Sequence, residues 1–270
     1  MKFKGLGFHH LLFALSSLLS AFCFVVNSYA AHPLITDDTG TQGKDKFEFE
    51  LGGEYGHEDE DGVTENSMEI VPVFAYGITD DIDIELCVPY LYVRTKETEI
   101  TTEAGFSDVE IDLKWRFYEK DGLSFALRPL ISLPTGDEDR GLGAGKVGYS
   151  LLLFVTKEVK PWNVDNSINV PWSFDLNIGY KRNENKNDER EDIWHASLSS
   201  RVEVAKDLNV VADIGIETNP DKFSDMHPAF ILGGFIYSIS ENLDVDFGVK
   251  GGLNKPETDY SILAGITFRR

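Results

Sequence analysis

The chain has 270 residues, with 25 Lys and Arg against 46 Asp and Glu and a net charge of -21. That acidity excludes a partner recognised through its phosphates, so nucleic acid is not expected. An apolar fraction of 42% excludes a disordered acidic chain, and a mean hydropathy of -0.20 excludes a bundle of membrane helices. A membrane β-barrel stays open, because its strands alternate polar and apolar residues and average to an ordinary hydropathy.

Residues 1–30 read as a cleaved export signal. Lys2 and Lys4 precede an apolar run from Leu11 to Val26, and Ser28-Tyr29-Ala30 places small residues at the -3 and -1 positions of a cut after Ala30. The 16-residue run is shorter than the roughly 20 residues a membrane-spanning helix needs. Cys23 leaves with the signal, so Cys87 is alone and no intramolecular disulfide is expected. Residues 31–45 follow without sustained alternation. They are either a solvated periplasmic leader or a plug folded into a lumen, with His32, Thr36, Asp37, Asp38 and Gln42 as the plug candidates.

From residue 46 to the end the dominant signal is a period of two, the signature of strands with two unlike faces. The spacing predicts twelve strands, over residues 46–56, 67–78, 82–94, 107–118, 123–134, 147–157, 170–182, 193–204, 208–218, 229–239, 243–253 and 259–268. In the first, Phe47, Phe49, Leu51 and Tyr55 oppose Glu48, Glu50 and Glu54. In the third, Ile82, Ile84 and Leu86 oppose Asp83, Glu85 and Cys87, and in the eleventh, Leu243, Val245, Phe247 and Val249 oppose Asp244, Asp246, Gly248 and Lys250. Segments 147–157 and 229–239 are apolar on both faces, which hides their orientation. Pro72, Pro89 and Pro129 fall inside predicted strands and are read as bulges or rim positions.

The connections alternate in length. Tight turns are expected at 79–81, 119–122, 205–207 and 240–242, and longer polar loops at 57–66, 95–106, 135–146, 183–192 and 219–228, with 158–169 as the exception. Short periplasmic turns and longer external loops produce this pattern. Strands of 11 to 13 residues suit tilted membrane crossings of roughly 9–11 residues better than a soluble sandwich. Tyr55, Tyr76, Tyr92, Trp115, Trp172, Tyr180, Trp194 and Tyr260 stand near segment ends, as interfacial girdles do.

Particular stretches carry a family resemblance: His32-Pro33-Leu34-Ile35-Thr36-Asp37-Asp38-Thr39-Gly40-Thr41-Gln42-Gly43, Tyr76-Gly77-Ile78-Thr79-Asp80-Asp81-Ile82-Asp83, Val88-Pro89-Tyr90, Gly105-Phe106-Ser107-Asp108 and Leu133-Pro134-Thr135-Gly136-Asp137. Over nearly the whole mature chain, this resembles the family of outer-membrane proteins assigned to the meta-pathway of phenol degradation. The resemblance implies an outer-membrane barrel that passes small organic compounds, and it brings no catalytic residues. Many outer-membrane barrels finish on an aromatic residue, whereas Phe268 here is followed by Arg269 and Arg270.

If the apolar faces meet lipid, the opposite faces line a lumen. Its acids are Glu48, Glu50, Glu54, Glu69, Asp83, Glu85, Glu110, Asp112, Asp175, Glu203, Asp213, Glu217, Asp244 and Asp246, and its bases Lys114, Arg116, Arg128, Lys181, Arg201 and Lys250. Fourteen acids against six bases favour cations. The competing expectation is that these groups pair across strands and leave no continuous pore. Outside, Glu58, Asp59, Glu60, Asp61 and Glu65 crowd one loop and Glu184, Asp188, Glu189, Glu191 and Asp192 another. Divalent cations could bridge them to anionic outer-membrane lipid, although solvation alone accounts for them. The first loop is no EF-hand, since His57 and Met68 occupy its outer ligand positions.

Gly141-Leu142-Gly143-Ala144-Gly145-Lys146 is a flexible loop rather than a phosphate cradle, because Arg140 replaces the first glycine and Val147 the Ser or Thr. His195-Ala196-Ser197 puts a base and a hydroxyl on one strand face, an arrangement that outer-membrane lipid hydrolases use. Here Trp194, Ala196 and Leu198 take the apolar parity, so His195 is expected in the lumen, away from acyl chains. The sequence thus predicts an all-β fold, a transmembrane antiparallel up-and-down barrel of about 12 strands over residues 46–270. Its expected work is passive passage of small solutes in the outer membrane of a Gram-negative bacterium, without cofactor or metal and without catalysis. A non-conducting structural or surface barrel is the alternative, and a lipid hydrolase using His195 and Ser197 comes third.

Overall fold

The computed structural model describes residues 32–60, 62–164 and 168–270, so residues 1–30, read above as an export signal, and Cys23 among them lie outside the described residues. Fourteen strands form one antiparallel sheet: β1 (Phe47–Glu60), β2 (Val63–Gly77), β3 (Ile82–Cys87), β4 (Tyr90–Lys96), β5 (Ile100–Phe106), β6 (Val109–Lys120), β7 (Leu123–Leu133), β8 (Gly148–Val164), β9 (Ile168–Arg182), β10 (Asp192–Ala205), β11 (Leu208–Glu217), β12 (Ala229–Ser240), β13 (Leu243–Gly252) and β14 (Tyr260–Arg269). The sheet closes because β1 pairs with both β2 and β14, with Phe49 opposite Phe74 on one side and Phe268 on the other. Closure leaves no sheet edge, the condition for a sheet to cross lipid.

Fourteen strands make twelve crossings, because two crossings are each interrupted once. β3 and β4 both pair with β2 and are separated by Val88-Pro89, while β5 and β6 pair with β4 and β3 and are separated by Ser107-Asp108. Proline explains where the ladder breaks. Pro72 and Pro89 have no N–H to give, and each accepts instead: the Val88 N–H donates to the Pro72 carbonyl at 3.2 Å and the Ser107 N–H to the Pro89 carbonyl at 2.9 Å. Pro129 differs from the rim or bulge position expected. It lies inside β7, facing outward opposite Leu151.

Side chains alternate between a lipid-facing surface and the lumen. Phe74, Trp194, Ile214 and Ile231 are exposed on the outside, and the eight aromatics near segment ends all sit on this outer parity, Tyr180 against Trp194 with ring centroids 4.9 Å apart. The two segments of hidden orientation resolve cleanly. Ser150, Leu152 and Phe154 of β8 and Phe230, Leu232 and Ile236 of β12 point inward, so the lumen carries apolar patches among its charges. A bulge between Arg116 and Tyr118 breaks the alternation, so that Phe117 and Tyr118 are both exposed.

Connections at the end where β1 begins and β14 finishes, here the terminal end, are tight. The β6–β7 turn uses Asp121 and Gly122, both at positive φ (52° and 69°), the backbone a two-residue hairpin requires. At the other end, two expected loops are mostly strand. β1 and β2 stay paired out to Glu60 and Val63, and β4 pairs with β5 out to Lys96 and Ile100. The stretch read as a long 158–169 connection is likewise strand, with β8 running to Val164 and β9 starting at Ile168. Beyond a membrane the outer face of a hairpin need not be apolar, so the polar–apolar alternation that marks strands inside lipid disappears while the ladder continues.

Candidate functional site: the lumen and the segment that enters it

Residues 32–45 lie inside the barrel. The Asp45 N–H donates to the Gly77 carbonyl at the terminal end, and the Gly43 carbonyl passes Gly77 so closely that a Cβ there would overlap it. The Lys44 N–H reaches Asp80 and the Gln42 N–H reaches Asp83 at 2.8 Å, which brings the chain from the β2–β3 turn into the lumen. Thr39 is held from β7 and β8, its N–H donating to the Thr156 hydroxyl at 3.0 Å while its own hydroxyl bonds Ser124. Thr156 in turn donates to Asp175 at 2.7 Å, and Ser199 to the same carboxylate at 3.3 Å.

Asp37 is the centre of the lumen. Both its oxygens lie 3.0 Å from Lys114 Nζ and one lies 3.2 Å from Arg128, whose guanidinium is 3.8 Å from Glu85. Arg128 and Lys114 also stand over the Phe154 ring, 5.0 and 5.5 Å from its centroid. Asp38 faces Lys114 at 4.0 Å and Arg201 at 3.9 Å. Asp83, Glu85 and Asp112 surround this knot, and each keeps one buried oxygen without a hydrogen bond.

The leading part of the segment crosses to the other half of the barrel. Asp213 accepts three bonds from it: the Ile35 N–H at 2.8 Å, the Thr36 N–H at 2.7 Å and the Thr36 hydroxyl at 2.6 Å. Leu34 and Ile35 bury against Val211, Phe230, Leu232, Ile236 and Leu263, which contributes roughly 2 kcal/mol per side chain. His32 contacts Asp246 through Nδ1 at 2.5 Å and donates its backbone N–H to Glu50 at 3.3 Å. Its ring fits because Gly52 and Gly265, paired across β1 and β14, have no Cβ; one built on either would stand 2.7 Å from the imidazole.

The remaining lumen candidates are spread along the barrel. Lys250 pairs with Glu54 at 2.9 Å and Glu257 at 3.3 Å, while Arg269 holds Glu48 at 2.6 Å and also Asp244. Arg116 stands at the terminal rim, bound to Asp81 and Glu119. Glu110 and Glu203 are half-buried, Lys181 is buried opposite Ser150, and Glu69 pairs in register with Glu54. His195 and Ser197 face inward, each 3% exposed, with Nε2 3.0 Å from the hydroxyl. Glu217 is 3.4 Å from Nδ1, outside hydrogen-bond geometry. The pair is therefore turned from any acyl chain at the outer surface.

Sequence reasoning missed Thr39, Glu257 and Arg269. Only Arg269 left a trace, as the charge that displaces the usual terminal aromatic. At the loop end many of the acidic residues have protein partners: Glu60 pairs with Lys255, Asp188 with Lys222, and Glu184, Glu191 and Asp192 with Arg182. The Lys186 ammonium, hydrogen-bonded to Glu138, holds that carboxyl below its usual range. Among the described residues no group of three or more His, Cys, Asp or Glu is placed to hold a metal ion.

Comparison with known proteins gives the same architecture. An outer membrane channel from Pseudomonas putida F1 superposes with a TM-score of 0.60 at 12% identity, over 86% of this chain and 98% of that one. The transport unit of the autotransporter AIDA-I from Escherichia coli gives 0.54 at 10% identity, covering 93% and 97%, and the KdgM porin 0.51 at 8%, covering 82% and 98%. These likenesses show the fold alone. No curated protein sequence matches the chain. The family model described as "Putative MetA-pathway of phenol degradation" matches residues 35–269, and the chain, an outer-membrane β-barrel of porin-like form, belongs to that family.

Proposed function

We propose that the protein is a passive outer-membrane channel for small organic solutes, with residues 32–45 acting as a plug that sets the open cross-section and an acidic wall that favours cations. The observation that carries this reading is the seating of the segment: it touches the wall on both halves of the barrel, through Asp37 to Lys114 and Arg128 and through Ile35 and Thr36 to Asp213. On this reading the tight turns, the start of β1 and the end of β14 face the periplasm, and the chain arrives there after removal of residues 1–30. Porins and channels among the structural relatives support passage rather than catalysis, and the family description supports a small organic solute.

Deletion of residues 32–43 tests the plug. Planar-bilayer recording of the refolded protein is expected to show a several-fold larger conductance, with a reversal potential in a salt gradient that favours potassium over chloride. Unchanged conductance with intact assembly removes the plug, and anion preference removes the acidic selectivity. A second reading has its own observation: Lys114, Arg128 and Lys250 all have carboxylate partners, as a sealed structural barrel would have. Absence of conductance in both the full and the deleted chain would establish it.

A further inference from the structure

Beside the plug, the lumen keeps a cavity of about 470 Å³ that reaches the terminal end near Asn242 and Arg270. It falls within the ~300–1,000 Å³ typical of small-molecule sites. Asp37 and Asp38 form one side, and Glu48, Glu50 and Glu85 stand on the barrel wall with Val73 and Ala75 beside them. Of the cations around it, Lys46 and Arg270 stand exposed at the mouth with no ion pair among the described residues, and the two deeper ones are committed. Lys114 spans both oxygens of Asp37, and Arg269 is held by Glu48 and Asp244.

The acceptors are not. Glu85 is 6% exposed, yet its Oε2 has no hydrogen bond, the nearest cation being Arg128 at 3.8 Å. Glu50 is 7% exposed and accepts long bonds from the His32 N–H (3.3 Å) and the Thr267 hydroxyl (3.4 Å), with no Lys or Arg ion pair among the described residues. Buried carboxylate oxygens short of donors are costly unless a partner supplies them. A ligand that brings N–H donors and positive charge satisfies both; an anion that passed Lys46 and Arg270 at the mouth would meet, deeper in, carboxylates beside Lys114 and Arg269, whose charge other acids already hold. The apolar strip of Val73 and Ala75 lies where the body of an organic molecule would rest.

We infer that this cavity is a binding subsite for a small organic cation, an ammonium or amidinium on an apolar body, with Glu85 and Glu50 as its acceptors. The inference rests on the channel reading for its route of entry, so binding is measured without conductance. Isothermal titration of the refolded full-length protein uses benzylammonium chloride as the probe and potassium benzoate as its charge-reversed counterpart. Saturable binding of benzylammonium is expected, with little or none for benzoate, at least a tenfold loss in both Glu85→Gln and Glu50→Gln, and no change in Asp188→Asn, which is exposed at the opposite, loop end of the barrel. Heat-modifiable gel mobility reports folding, and Glu50→Gln decides alone if Glu85→Gln fails to fold. Equal or tighter binding of benzoate, binding of neither probe, or benzylammonium affinity unmoved in the folded variants overturns the subsite. Binding by a barrel that never conducts overturns the channel and leaves the subsite standing, whereas conduction without binding does the reverse.

Discussion

Asp213 shows how one side chain sets the position of a distant segment. Its carboxylate takes two backbone N–H groups and a hydroxyl from residues 178 and 177 positions earlier. Asp213→Ala leaves the Ile35 and Thr36 N–H groups without acceptors in a buried place, at about 1–3 kcal/mol for each. The expected outcome is a looser plug in an intact barrel: heat-modifiable mobility stays as in the parent while single-channel traces gain frequent larger openings. Gly265 tests the same segment by crowding. A Cβ there stands 2.7 Å from His32 Nδ1, so Gly265→Val is expected to expel the imidazole and break its contact with Asp246. Gly251→Ala is the control, because nothing lies within 4 Å of its Cβ. Its stability in urea should stay within about 0.5 kcal/mol of the parent, and its conductance should not change.

At the level of strands, one position decides between lipid and lumen. Ile214 neighbours Asp213 on β11 but points outward, 47% exposed. Ile214→Arg is expected to lower unfolding stability in lipid vesicles by about 2–4 kcal/mol, measured by urea titration with tryptophan fluorescence, while conductance in the surviving fraction stays normal. That alternation is why twelve crossings were legible in the sequence: an apolar outer face beside a charged inner face repeats every two residues. It fails at particular places for physical reasons. Residues 57–66 and 95–106 lack the apolar outer face that lipid demands, so they read as loops although β1–β2 and β4–β5 remain paired there. In β8 and β12 the inner face is itself apolar at Leu152, Phe154, Phe230 and Leu232, so no contrast marks the inside. Residues 31–45 were legible as a stretch apart from the strands, but the seat of the proposed plug was not, since its partners Lys114, Asp213 and Asp246 lie far along the chain and only barrel closure brings them together.

For the molecule as a whole, the question is whether wall and plug act as one electrostatic unit. Lys114 joins them, with its ammonium on both oxygens of Asp37 and 4.0 Å from Asp38, and it is buried on β6. Lys114→Met keeps much of the volume and leaves Asp37 with a weaker counter-charge, at about 3 kcal/mol for a broken buried pair. The lost free energy should fall on plug seating, because the barrel ladders on either side are untouched. Conductance is then expected to rise toward that of the chain lacking residues 32–43, and preference for potassium over chloride to increase, since the wall loses a positive charge. The deletion made in the Lys114→Met background separates the two effects. If Lys114 acts through the plug, the double variant has the conductance of the deletion alone, a non-additive cycle expected of groups in direct contact. It should still show the stronger cation preference, because that comes from the wall. Additive conductance increments would mean that Lys114 narrows the pore on its own, and that the plug and the wall are independent filters.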